Sequence, residues 1–180
     1  MRLLTTALVT QAVLACSCAS VDADATTVYL VRHAEKQKDA TDPSLSSAGQ
    51  IRAKQLAQVL RSANLKACVA SQFRRTQETA KPAAELAKLK VLQRPAGKER
   101  KLADEIRQDF NGQSVLFVGH SNTVPLLLRH LGAENIPAIG ESDYDNLFVV
   151  QISDSGQTSV LQLHYGSASS NSSNPKSTID

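Results

Sequence analysis

The chain has 180 residues, of which 42% are apolar and 21% charged, and its formal net charge is +3. This length is enough for one domain with a full hydrophobic core. The charge is too small and too scattered to indicate nucleic-acid binding, and an aromatic content of 4% leaves few side chains on which bases could stack.

The first twenty residues have the anatomy of an export signal. Met1 and Arg2 supply positive charge, and the mostly apolar segment 3–15 is too short to span a bilayer as a helix. This order of a charged, an apolar and a small-residue part is typical of a secretory signal. We therefore predict that residues 1–20 direct export and that residues 21–26 form a polar linker.

The end of the apolar segment, Val13-Leu14-Ala15-Cys16, resembles a bacterial lipoprotein signal, in which Cys16 would carry the lipid. Ordinary cleavage within residues 17–20 is the alternative. The first case predicts a protein held at a membrane only through Cys16, and the second predicts a periplasmic protein. The other cysteines, Cys18 and Cys68, form neither a metal motif nor a disulfide framework. Cys68 is expected to be buried and free.

The rest of the chain alternates between strand and helix patterns. Runs of β-branched and apolar residues predict buried strands, and apolar residues at helical spacing predict helices. In chain order we predict a strand at 27–31, a helix from Ser46 to Asn64, a strand at 66–70, a helix at 74–88, a strand at 89–93, a helix at 99–110, a strand at 114–118, a helix at 122–131, and two strands at 147–152 and 158–164.

This order predicts an α/β fold, a three-layer sandwich whose mostly parallel central sheet carries helices on both faces. Residues 27–165 would form this single domain. The segment 133–145 is predicted to be an irregular loop and is the best candidate for a lid. After Tyr165 the composition changes to Ser and Asn with almost no apolar residue, so residues 166–180 are predicted to be a disordered tail.

Two of the predicted strands lead directly into a histidine, His33 and His120. In an open α/β sheet, ligands bind beyond the carboxyl ends of the strands. Right-handed crossovers place the ends of the first, second and fourth strands at the same edge of the sheet. We therefore expect the following polar residues to meet at that edge: Arg32, His33, Ser71, Arg74, Arg75, His120 and Ser121.

These residue types suit the binding and transfer of a phosphoryl group. Arginine guanidinium groups match phosphoryl oxygens and stay charged at all working pH values. A histidine can attack phosphorus if its other ring nitrogen is held by a backbone carbonyl, and a second histidine can stabilise the charge on the transferring group. The helix after His120 would add its N-terminal amides to an anion site. This set lacks a general acid for the leaving oxygen.

Four motifs, in order, resemble those of the histidine phosphatase (phosphoglycerate-mutase-like) superfamily. They are Arg32-His33-Ala34-Glu35, where the family usually has Arg-His-Gly; Leu45-Ser46-Ser47-Ala48-Gly49, similar to its Leu-Ser-x-x-Gly; residues 71–80, similar to its Ser-x-Leu-x-Arg-Ala-x-x-Thr-Ala; and Gly119-His120-Ser121, similar to its second-histidine motif. The compact length resembles the branch of the superfamily that acts on phosphohistidine.

The resemblance implies a role for each matching residue. His33 would be the nucleophile that forms a phosphohistidine, Arg32 and Arg75 would hold the phosphoryl oxygens, and His120 would complete their pocket. No metal and no other cofactor is implied. Further candidates for substrate contacts are Ser121, Glu35 and Arg74.

The proton donor is the assignment that the motifs leave open. Family members often supply a Glu from the stretch between the second phosphate-binding arginine and the second histidine. Glu99 lies in that stretch, with Asp104 and Glu105 as alternatives. Glu35 is nearer to the nucleophile in sequence, and orienting a loop is the other role open to it. The phosphohistidine branch has no obvious acid. Ser121 stands where the acid-phosphatase and phytase branch has Asp, so that branch is not expected.

The resemblance therefore predicts a hydrolase that removes the phosphoryl group of a phosphomonoester or a phosphoramidate. The substrate would be a phosphorylated small molecule or a phosphoprotein. One alternative is a phosphoryl transferase of mutase type, which needs a substantial lid, whereas the insertions here are short. The other is a non-catalytic lipoprotein that binds phosphate.

Overall fold

A computed structural model describes residues 25–38 and 41–169 of the chain and contains six strands and four helices over them. In chain order they are β1 (Thr26–Arg32), α1 (Ser47–Val59), β2 (Leu65–Ala70), α2 (Arg74–Leu86), β3 (Val91–Gln93), α3 (Glu99–Asp109), β4 (Ser114–Gly119), α4 (Thr123–His130), β5 (Asn146–Ile152) and β6 (Thr158–His164). Type and order match the sequence pattern, so the α/β prediction is confirmed.

The six strands form one sheet in the order β3-β2-β4-β1-β5-β6. The first four of these run parallel to one another, whereas β5 pairs antiparallel with both β1 and β6. Val28, Leu30 and Val31 of β1 expose none of their surface. A central parallel strand is covered on both faces, and this explains why β1 and β4 appear in the sequence as unbroken apolar runs.

Helices cover both faces of the sheet, which confirms the predicted three layers. On one face, Ile106 of α3 and Leu127 of α4 pack with Phe117 of β4. On the other face, Leu56 of α1 and side chains of α2 pack with Leu116 of β4. Because neighbouring residues of a strand point to opposite faces, Leu116 and Phe117 belong to different halves of the core.

The chain changes faces between β1 and β4, which lie side by side. The helix that follows β1 packs on one face, and the helix that follows β4 packs on the other. The two connections diverge at this point and leave a crevice beyond the carboxyl ends of the strands. In open α/β sheets this is where ligands bind.

β3 begins two residues later than predicted. The preceding helix ends at Leu86 rather than at residue 88, and the cap that closes it takes up the residues before the strand. Lys88 adopts a left-handed φ of +58°, and the backbone N–H of Leu89 donates to the carbonyl of Ala84 at 2.8 Å. This is the Schellman arrangement, which usually has Gly at the left-handed position. β3 therefore begins at Val91 rather than at residue 89.

The predicted domain limits lie slightly inside the folded unit. Thr26, which the sequence assigned to a linker, is the buried first residue of β1. Residues 166–169, assigned to a disordered tail, pack on the fold: the hydroxyl of Ser169 donates to Asp145 Oδ1 at 2.8 Å and its N–H to Oδ2 at 3.2 Å. Asp145 is a buried carboxylate that needs donors, and apolar patterning does not reveal this need.

Several predictions concern residues outside the described part of the chain. The export signal at 1–20, lipid attachment at Cys16 and the tail beyond residue 169 all lie there, so export and anchoring stay predictions. Cys68 is buried and free, as expected. Over residues 25–38 and 41–169, none of the helices has the length and apolar character needed to cross a membrane.

The first turn of α1 packs against the segment that follows β1. Ser46 caps the helix by accepting a hydrogen bond from the N–H of Gly49 at 3.2 Å, and its own N–H donates to the carbonyl of Glu35 at 2.9 Å. A β-carbon added at Gly49 would overlap with that same Glu35 carbonyl. Only glycine therefore allows α1 to approach the backbone this closely.

We expect Gly49→Ala to destabilise the protein by about 1–3 kcal/mol, because a methyl group there displaces backbone. Helix propensity alone predicts the opposite sign, since Gly→Ala inside a helix stabilises by about 0.5–1 kcal/mol. The measurement is the free energy of unfolding in urea. Gln50→Ala, at the exposed neighbouring position, is the control and should stay within about 0.5 kcal/mol of the wild type. A stabilised Gly49→Ala variant would contradict the contact.

Candidate active site

The two histidines meet where β1 and β4 end. The register of this parallel pair sets Arg32 opposite Gly119, and the N–H of His33 donates to the carbonyl of Gly119 at 2.9 Å. The ring centroids of His33 and His120 are 5.4 Å apart, at an interplanar angle of 67°. A β-carbon on Gly119 would lie 2.6 Å from the hydroxyl oxygen of Thr123, so glycine is needed for this turn.

Backbone contacts fix the protonation of His33. Its side chain is buried, and Nδ1 lies 2.8 Å from the carbonyl oxygen of Ala34. A carbonyl can only accept, so Nδ1 carries the proton and Nε2 keeps its lone pair. Burial lowers the pKa of His33 to about 3, and the charge of Arg32 adds to this effect while the Ala34 hydrogen bond opposes it. The ring is neutral at neutral pH.

A chain of hydroxyls sets the tautomer of His120. The hydroxyl of Thr76 has one proton, which it donates to the carbonyl of Phe73 at 2.7 Å. It must therefore accept from Ser71 Oγ at 2.8 Å, and Ser71 in turn accepts from His120 Nε2 at 2.9 Å. His120 thus carries its proton on Nε2 when neutral. Burial lowers the pKa of His120 to about 4, with further contributions from Arg75 and Arg32.

A cleft of about 580 Å³ opens over the two rings. Its lining includes both histidines, two arginines and residues from five different segments of the chain. The charged, polar and large apolar side chains that line it are Arg32, His33, Lys36, Gln72, Phe73, Arg75, Glu99, His120, Ser121, Asn122, Thr123, Leu126 and Glu141. The predicted convergence of strand ends thus produces one cavity.

Both arginines are held with part of the guanidinium group free. Arg32 is 3% exposed, donates to the carbonyl of Gly140 and to Glu141, and lies 4.5 Å from the ring centroid of Tyr144. Arg75 stacks at 4.5 Å on the ring of Phe73. The Nε atoms of both arginines are buried without a hydrogen-bond partner among the described residues. Buried donors without acceptors are unusual, and here they border the cleft.

Glu99, the first residue of α3, provides a buried carboxylate in the same cleft. Its side chain is 4% exposed, and Oε1 accepts a hydrogen bond from the N–H of Gly97 at 2.9 Å. Oε2 is buried and has no partner within the described residues. A carboxyl group with one oxygen fixed and the other unoccupied can exchange a proton with a bound molecule.

Two of the candidate substrate contacts, Glu35 and Arg74, lie outside the cleft, and Arg74 therefore does not join the expected convergence. Glu35 is held by Arg52, whose Nη2 donates to it at 2.7 Å and whose Nη1 reaches the carbonyl of Tyr165 at 3.0 Å. Arg74 projects outward from the first turn of α2, with its side chain 64% exposed near Glu78. Helix periodicity explains the second case, because adjacent residues at the start of α2 face different directions.

The alternative acids are also placed away from the cleft. Asp104 is exposed on α3, and Glu105 pairs with Arg94. Ser121, in contrast, lines the cleft as predicted, and its hydroxyl donates to Glu141 at 2.9 Å.

Three residues of the site come from loops. Glu141 contacts Arg32, Tyr144 lies over the same guanidinium group, and Asp42 lies 3.7 Å from Arg75. The sequence indicated only that Glu141 and Tyr144 precede a strand and could approach the edge of the sheet. Asp42 had no such signal, because it is one of several charged residues in a segment that the sequence identifies only as a loop.

Comparison with known proteins agrees with this geometry. The family described as "Histidine phosphatase superfamily (branch 1)" matches residues 28–104, whereas no curated protein matches significantly. The protein histidine phosphatase SixA complexed with tungstate is similar in structure, with a TM-score of 0.65 at 18% identity over 77% of this chain and 96% of that one. A mycobacterial glucosyl-3-phosphoglycerate phosphatase gives 0.63 at 16% identity over 80% of this chain and 100% of that one.

These likenesses establish the fold, and the family match covers three of the four motifs together with the segment that carries Glu99. The second-histidine motif lies beyond the matched residues, but it stands beside the first in the sheet. Over residues 28–104 the chain thus resembles the histidine phosphatase superfamily, and it shares its fold with the phosphatases named above.

Proposed function

We propose that the protein is a phosphatase that hydrolyses a phosphomonoester through a phosphohistidine on His33. The observation that carries this proposal is the hydrogen bond between His33 Nδ1 and the Ala34 carbonyl, which leaves the Nε2 lone pair available beside the cleft. The family match over residues 28–104 supports it, and both structures compared above are named phosphatases. Arg32 and Arg75 supply the positive charge that a phosphoryl group requires.

In the first step, the lone pair of His33 Nε2 attacks phosphorus and forms the P–N bond. The bond between phosphorus and the leaving oxygen breaks, and that oxygen takes a proton from Glu99. Arg32 and Arg75 balance the charge on the phosphoryl oxygens during transfer. The products of this step are a free alcohol, the Glu99 carboxylate and a phosphorylated His33.

In the second step, water attacks the phosphorus of the phosphohistidine. The Glu99 carboxylate accepts a proton from that water, and the electron pair of the P–N bond returns to Nε2. Inorganic phosphate leaves, while Glu99 is protonated and His33 neutral again. Because the same carboxyl group donates and then recovers the proton, the cycle needs no other acid or base.

The placement of Glu99 favours a phosphomonoester over a phosphoramidate. An alkoxide is a poor leaving group and benefits strongly from protonation, whereas the nitrogen of a phosphoramidate is easily protonated before the bond breaks. A carboxyl group in the wall of the cleft is therefore needed more by the first kind of substrate than by the second. His120 assists both, since a bound dianion provides the opposite charge that favours its protonated form.

Replacing His33 with Asn should reduce phosphatase activity at least about a thousandfold, because the intermediate forms on His33 Nε2 and an asparagine amide offers no comparable nucleophile. A radiolabelled phosphomonoester quenched in mild base should leave label on the wild-type protein, in an acid-labile form typical of phosphohistidine, and none on the variant. His130→Asn, away from the cleft, is the control. Full activity of His33→Asn would rule out the mechanism, and transfer of label to added alcohols rather than water would favour a transferase.

Replacing Glu99 with Gln should separate substrates by their leaving groups. We expect hydrolysis of an alkyl phosphate to fall by about 10²–10⁴-fold, the usual contribution of general acid catalysis, and hydrolysis of p-nitrophenyl phosphate to fall far less. Asp104→Asn on the same helix changes the charge equally and should leave both rates near the wild type. Equal losses for both substrates would show that Glu99 is not the acid.

The two buried histidines should make stability depend on pH. Their pKa values are lowered to about 3 and about 4 in the folded protein, against about 6.5 in an unfolded chain. Between about pH 4 and pH 6.5 the unfolded state therefore binds more protons, and the folded state loses stability as the pH falls, by up to about 1.4 kcal/mol per pH unit for each ring.

Urea unfolding of the wild type from neutral to mildly acid pH should accordingly show a steeper loss of stability than the double variant His33→Asn/His120→Asn. The carboxylates that also titrate in this range are common to both proteins, so the difference between the two slopes reports the histidines. Parallel pH profiles would mean that the two rings are protonated in the folded state as readily as in the unfolded one.

A further inference from the structure

A carboxylate of the protein itself occupies part of the cleft. Glu141 lies in the loop between α4 and β5, and its Oε2 is 3.1 Å from Arg32 Nη2 while its Oε1 accepts from Ser121 at 2.9 Å. The side chain of Glu141 is 85% exposed, whereas that of Arg32 is 3% exposed. Glu141 thus contacts a buried cation from the solvent side of the cleft. The Ser121 hydrogen bond and then the Arg32 charge lower the pKa of Glu141, which keeps it ionised.

The loop backbone beside Glu141 is hydrogen-bonded to the same arginine, Arg32. The carbonyl of Gly140 accepts from Arg32 Nη1, and its N–H donates to Asp143 Oδ2 at 2.9 Å. Tyr144 covers the guanidinium group at 4.5 Å. The backbone position of Glu141 is therefore set by the contacts of its neighbours with Arg32 and with one another, and not by its own exposed side chain alone.

A bound phosphoryl group would need the donors that Glu141 uses. Arg32 and Ser121 both line the cleft, and both point a donor at this carboxylate. Two anions that share one guanidinium group lie only a few ångströms apart and repel each other. Binding of phosphate at Arg32 and retention of the Glu141 contact are therefore mutually unfavourable.

We propose that Glu141 is an internal competitor for the phosphoryl-binding arginine, so that an anion entering the cleft must displace it. This inference rests on the proposed function, since it takes Arg32 as a phosphate ligand. The competition weakens the binding of inorganic phosphate and of a substrate's phosphoryl group alike. A substrate can offset the loss through further contacts with Phe73 and Leu126, which also line the cleft, whereas inorganic phosphate is too small to reach them. Glu141 in this sense lowers the occupancy of the cleft by the product at a given phosphate concentration.

The test compares Glu141→Gln with the wild type in binding inorganic phosphate, measured by titration calorimetry, a readout that does not require turnover. Gln keeps the size and the acceptor oxygen but removes the charge. Because Glu141 is largely exposed, we expect phosphate to bind about three- to tenfold more tightly to the variant. Glu134→Gln, an exposed residue of the same loop, makes the same change in net charge and should leave phosphate binding unchanged.

The outcomes separate this inference from the function on which it rests. Tighter binding in Glu141→Gln alone supports the competition, even if the protein proves to be a phosphate-binding protein without turnover. Equal binding in Glu141→Gln and the wild type, or equal tightening in Glu134→Gln, overturns the competition while leaving the phosphatase proposal intact. No phosphate binding in any of the three proteins overturns both.

Discussion

The parallel pairing of β1 with β4 is the constraint on which the whole site depends. It places Arg32 opposite Gly119 and ties the N–H of His33 to the Gly119 carbonyl, so that the residues following both strands project beyond the same edge of the sheet. Successive side chains of a strand point to opposite faces. A slip of one residue would therefore turn one imidazole away from the other and separate the histidine that reacts from the charge that assists it.

The charges in the cleft depend on where each ionisable group lies as well as on how many such groups there are. Two guanidinium groups stand beside two imidazoles, and burial together with those cations keeps both rings neutral. Carboxylates from two loops, Asp42 and Glu141, lie against the two arginines. In the cleft without a ligand, these two loop carboxylates therefore offset part of the positive charge of the arginines. A bound dianion would change both the arginine contacts and the protonation state that the two imidazole rings prefer.

The sequence predicted the structure best where a residue type in its local pattern is compatible with a single structural role. Unbroken apolar runs identified β1 and β4 as central strands, and the two histidines at their ends located the edge at which the cleft lies. Arg75 could be distinguished from Arg74 only through the family motif, since periodicity places both at the start of one helix, and the structure brings Arg75 to the cleft.

The contacts that the sequence did not reveal are those made across long separations by polar side chains. Arg52 with Glu35, Asp145 with Ser169 and Glu141 with Arg32 each join segments whose local patterns give no reason for the pairing. A polar residue on an amphipathic helix or in a loop is expected to face water, and only the completed fold supplies the buried partner that keeps it inside.

Arg52 has a consequence for how this molecule comes apart. It is buried in α1, donates to the carboxylate of Glu35 two residues after His33, and also donates to the carbonyl of Tyr165, the residue after β6. Separation of β6 from the sheet would remove one of the two hydrogen-bond acceptors of Arg52. The contact of Arg52 with Glu35, and with it the turn that carries His33, would then be less well fixed. Opening of the outer strand and loosening of the turn are thus coupled through the side chain of Arg52.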